Sequence, residues 1–84
     1  MKAIKTQYNA GYGEMQDCIK VISDNDPETY VRFAPLYSLI GSTKVIMTEY
    51  VNGKFNSSDT LRVDWEDLTL EDAERIAKEE CVYL

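Results

Sequence analysis

The stretch TKVIMTEYVNGKFNSSDTLRVDW, residues 43–65, limits the folds open to this chain more than any other. Asn52-Gly53 lies between two runs rich in β-branched and aromatic residues. Both residues tolerate the positive φ that a two-residue type I′ turn requires, so the pair predicts an antiparallel hairpin. Beyond the turn, Leu61, Val63 and Trp65 alternate with Thr60, Arg62 and Asp64, the period of a half-buried strand. NSSD, between the turn and this alternation, reads as a bulge or a loop.

Two strands are expected upstream. KAIKTQY sets Ala3 and Lys5 against Ile4, Thr6 and Tyr8. QDCIKVIS puts Ile19 and Val21 on one face and Cys18 and Ile22 on the other. Between them NAGYG reverses the chain, since Asn and Gly accept positive φ, and Tyr12 is expected to cover the sheet edge. Residues 27–40 read as a short helix or turn. Asp26 offers an N-cap, Pro27 suits the first helical position, and Tyr30, Phe33 and Ala34 would share a face. Yet TYVRF also alternates as a strand, and Pro35 biases Ala34 away from helix.

The clearest helix is LTLEDAERIAKEEC. Thr69 is the expected N-cap, with Asp72 three residues on. Glu71, Asp72 and Glu74 suit the positive helix start and Lys78 the other end. Leu70, Ala73, Ile76, Ala77 and Cys81 form one apolar stripe. VYL follows as a tail or short strand. The expectation is one α+β domain over residues 1–84: an antiparallel sheet of four or five strands with a C-terminal helix packed on it.

A chain of 84 residues buries a modest core and encloses no large cavity. It carries 15 acids, nine bases and no histidine, a formal charge of -6. That balance argues against direct nucleic-acid binding, which needs a basic stripe. Residues 1–58 hold equal numbers of acids and bases, so residues 59–84 carry the whole net charge. This acidic third is either a solvated helix face or a docking face for a basic protein surface. No apolar run is long enough to span a membrane, and MKAIKTQYNAG has no secretory-signal pattern. A cytoplasmic location follows as an expectation.

No catalytic site is expected. Without histidine, neither Cys18, Cys81 nor any serine has the usual general base. Two cysteines without histidine fall short of a zinc set, and both thiols sit in apolar company, so they are expected to be unpaired, buried and non-catalytic. No phosphate loop is present, since GYG lacks the spacing and the following Lys. No cofactor or metal is expected. The six tyrosines fit either the rim of a small sheet or a wet contact surface.

NAGYGEMQDCIKVISDN, residues 9–25, resembles the N-terminal segment of a family of small type II-C Cas9 inhibitors that cap the HNH nuclease domain. The matching positions are Asn9, Ala10, Gly11, Tyr12, Cys18, Ile22, Ser23 and Asn25, with Asp24 where the family has an acid. The family's middle is tryptophan- and helix-rich, whereas this chain has a hairpin signal there. Of the family's nuclease-contacting Ser-Cys pair, only Cys81 corresponds, and Glu80 stands in the serine's place. TLEDAERIAKEEC is similar to a helix of another small anti-CRISPR family, one that blocks a type I surveillance complex at its DNA-binding face.

These resemblances imply a phage- or prophage-encoded inhibitor that binds a Cas effector, as a monomer or small homo-oligomer, without chemistry of its own. The competing expectation is a structural or regulatory interaction domain of a phage or bacterium. If the acidic third is the interface, Asp64, Glu66, Asp67, Glu71 and Asp72 should cluster where the last strand meets the helix. Such a cluster would occupy a phosphate-gripping surface as a DNA mimic. Glu80, Cys81 and Tyr12 complete the expected contact residues, the latter two through the resemblance.

Overall fold

The computed structural model describes residues 1–11, 13–37, 43–81 and 83–84. Five strands form one antiparallel sheet in the order β1-β2-β3-β4-β5. They are β1 (Lys2–Gly11), β2 (Glu14–Ile22), β3 (Tyr30–Tyr37), β4 (Thr43–Val51) and β5 (Lys54–Asp64). A 3-10 turn, Trp65–Asp67, leads into the helix α1, Leu70–Glu80.

Local chemistry sets each described reversal. Gly11 and Gly13 take φ of 110° and 75°, so the glycines of NAGYG supply the positive φ the turn needs. Asn52 and Gly53 take 53° and 78°, the two positive values that a type I′ hairpin requires. Between β2 and β3, Asp26 holds the turn: one carboxylate oxygen accepts from the Glu28 amide and the other from the Thr29 hydroxyl. The second and fourth connections also meet. Gly53 N–H donates to the Glu28 carbonyl at 2.9 Å, and Asn52 N–H to Thr29 Oγ1 at 3.1 Å.

The expectation of a helix or turn over residues 27–40 is corrected in part. Pro27-Glu28 does turn, but Tyr30–Tyr37 is a strand. Face and pairing decide it: Val31, Phe33 and Pro35 are buried on the core side, while on the other side Arg32 and Leu36 emerge around a covered Ala34. The register shows how Pro35 is tolerated. The β2 ladder ends at Ile19↔Phe33, so the missing proline N–H costs no bond to β2. The Pro35 carbonyl instead accepts from Gln16 Nε2 at 3.1 Å. NSSD takes the first of its two expected forms: Ser57, Ser58 and Asp59 pair with Glu49, Thr48 and Met47, and Asn56 is left unpaired at a bulge between Glu49 and Tyr50.

One sheet face carries the core. Ile19, Val21, Val31, Phe33, Val45 and Met47 pack against Leu68, Ala73, Ala77 and Cys81 from the turn and helix. Leu61, Val63, Trp65, Leu70 and Ile76 close its margin. The helix lies over β1 and β2. Thr69 caps it, its hydroxyl accepting from the Asp72 amide at 3.1 Å. Among the described residues no helix is long and apolar enough to cross a membrane.

Candidate functional site

Charge is sorted across the sheet. On the helix side, the 3-10 turn and α1 present Glu66, Asp67, Glu71, Asp72, Glu74, Glu79 and Glu80, with Arg75 and Lys78 as the helix's bases. Glu66 and Glu71 line one cleft together with Lys5 and Thr69. Glu71 and Glu74 line a second with Arg75 and Lys78. Arg75 draws on Asp72 at 3.5 Å and Glu79 at 3.8 Å. The Thr69 hydrogen bond, helped by Arg75, holds the Asp72 carboxyl below its ordinary range.

Of the expected contact residues, those that are described fall into four places. Glu66 and Glu71 line one cleft at the start of the helix layer, with Asp67 on the same 3-10 turn and Asp72 on the same first helical turn. Asp64 does not join them. The strand period points it to the opposite face, where it binds Lys44 at 2.9 Å. Glu80 is exposed at the far end of α1, about 15 Å along an 11-residue helix. Cys81 is buried in the core, 7% exposed. Tyr12 lies outside the described residues.

Both cysteines are free and buried. Burial, and then the neighbouring Glu49 charge, pushes the Cys81 thiol up to about 12, so it holds its proton at neutral pH. Burial also raises Cys18, against the opposing pull of Lys20. Neither thiol is poised as a nucleophile. Among the described residues no group of three or more acids or cysteines could hold a metal ion.

Two features escaped the sequence reading. The first is Glu49, 5% exposed on the core side of β4. Its Oε1 accepts from Asn56 Nδ2 at 2.6 Å, while Oε2 is buried with no hydrogen bond of ordinary geometry, the Cys81 thiol being the donor beside the carboxylate. The second is the open sheet face. Register places Lys20, Arg32, Thr48 and Ser58 in one row across β2 to β5, and Ile22, Tyr30, Tyr50 and Phe55 in the next. Tyr30 and Tyr50 stack at 5.0 Å, and Phe55 meets Tyr50 edge-on at 6.3 Å. Lys20 Nζ sits 4.5 Å over Tyr30, and the Arg32 guanidinium 4.0 Å over Tyr8. The signal was present in TYVRF, but a helical reading of that segment scatters these residues.

No protein family, curated protein or solved structure matches the chain. The likeness to anti-CRISPR families therefore rests on the sequence positions named above.

Proposed function

We propose that this protein is a non-catalytic inhibitor of the anti-CRISPR kind, binding a Cas effector inside the bacterial host cell and blocking DNA binding or cleavage through its acidic layer. The observation that carries the reading is the separation of charge: Glu66, Asp67, Glu71 and Glu74 stand together on the turn and helix, away from the bases of the open sheet face. A Cas surface that grips phosphates is rich in Lys and Arg, and a carboxylate layer on a rigid helix would meet it with complementary potential. Helix-start acids also come pre-ordered, because the Thr69 cap fixes the first turn. The resemblance in residues 9–25 supplies the target class.

A second reading, an interaction domain of a phage or bacterium unrelated to CRISPR, is favoured by the tyrosine- and arginine-rich sheet face, the residue types that dominate binding energy at interfaces. A plaque assay separates the two. Expression of the gene in CRISPR-immune hosts of several system types should restore plating of the targeted phage in one type. Unchanged plating in every type, with the protein expressed and folded, would leave the interaction-domain reading.

A further inference from the structure

We propose that the open sheet face is a second docking surface, and that its occupant is an acid-rich segment of a partner protein. The strands contribute Lys2, Lys20, Arg32, Lys44 and Arg62 to this face, against Glu14 and Asp64. A chain of net charge -6 thus has one basic side. Lys44 is paired with Asp64, but Lys20 and Arg32 meet no carboxylate among the described residues. They rest on tyrosine rings instead, at 4.5 Å and 4.0 Å, with the Arg32 Nε buried and unpartnered. Cations held flat against rings lose little further freedom on binding, so the surface is organised in advance. Beside them stand apolar residues in the open, with Phe55 63% and Leu36 40% exposed. Tyr, Arg and apolar side chains together are the composition of a protein-binding patch.

Two other occupants fit less well. Single-stranded nucleic acid needs ring faces free for stacking bases. Tyr30 and Tyr50 cover one another at 5.0 Å, and Lys20 and Arg32 take up ring faces of Tyr30 and Tyr8. The cations themselves, a guanidinium and an ammonium, are the groups that bind carboxylates. A second copy laid face to face would set these bases against their equivalents, which like-charge repulsion opposes.

The test uses the full chain with poly-L-glutamate as the acidic probe and an oligothymidylate of similar charge as the competitor, titrated at low salt by tyrosine fluorescence and by backbone amide NMR. The expected result is poly-L-glutamate binding that shifts residues of β2, β3 and β4 on the open face. Arg32→Met should weaken it about tenfold or more. Because Arg32 covers neighbouring residues, Lys20→Gln is the second variant and should weaken it severalfold with an unchanged melting temperature. Arg75→Gln, in the acidic layer, should leave binding unchanged. Tighter binding of the oligothymidylate would overturn the proposal in favour of nucleic acid. Salt-sensitive self-association lost with Lys20→Gln would overturn it in favour of a second copy. Absence of probe binding, or binding indifferent to both variants, would overturn it outright. None of these outcomes touches the acidic layer, so its role stands or falls separately.

Discussion

At the scale of single residues, Glu49 is the least expected group in the molecule. A carboxylate with one oxygen lacking an ordinary hydrogen bond in the core is costly unless its remaining bond is kept. Asn56 provides that bond at 2.6 Å. Asn56→Ala should therefore cost about 1–3 kcal/mol, although Asn56 itself is exposed, as read by denaturant unfolding. A cost near zero would mean that water satisfies Glu49 as well as Asn56 does. Cys81 makes an alkaline prediction. Its folded pKa is raised from 9.0 to about 12, chiefly by burial and then by Glu49. Above pH 9 the unfolded chain loses this proton while the folded chain keeps it. The thiol's contribution is thus fully present below pH 9 and is lost as pH rises toward about 12. Between those values the parent should lose more stability than Cys81→Ala does, in paired melts across pH. Equal losses would show that the thiol titrates alike in both states.

At the scale of elements, the parts with their own chemistry were legible in the sequence. Asn52-Gly53 announced the hairpin because few residues adopt positive φ, and the observed values of 53° and 78° follow. Thr69, the acids after it and the stripe through Ala73 and Ala77 announced the helix. Residues 30–37 were ambiguous because their outcome depends on neighbours. Asp26-Pro27-Glu28 carries a helix-start signature, yet Asp26 spends its side chain on the turn, and β4 offers a ladder from Tyr30↔Tyr50 onward. Propensity yields to pairing there. The pairing of Lys20 with Arg32 was illegible for the same reason, since it exists only once β2 and β3 are in register. The hairpin turn is also tied to its neighbour through Gly53 N–H and the Glu28 carbonyl. Gly53→Ala should destabilise by about 1–2 kcal/mol, because a Cβ at φ of 78° is strained and would lie 3.5 Å from the Glu28 carboxylate. A variant as stable as the parent by thermal melt would show that the turn relaxes to another geometry.

At the scale of the whole molecule, net charge misleads. A value of -6 averages an acidic turn-and-helix layer with a basic sheet face. Long-range steering follows the face that a partner meets, and it is screened within about 8–10 Å at physiological salt. The sequence located the acids correctly in the last third of the chain. It could not show that Asp64 turns away toward Lys44, since that depends on the parity of β5 against β4. The acidic layer that remains, Glu66, Asp67, Glu71, Asp72 and Glu74 on the turn and the start of the helix, is the proposed inhibitory interface. The decisive measurement is the affinity for the responding Cas effector at two ionic strengths, for the parent and for a variant carrying Glu66→Lys, Asp67→Lys and Glu71→Lys. These changes leave Thr69 and Asp72, and so the helix cap, in place. The variant should bind at least about tenfold more weakly at low salt, and its affinity should vary less with salt. A folded variant that binds as tightly as the parent at both ionic strengths would contradict the proposal.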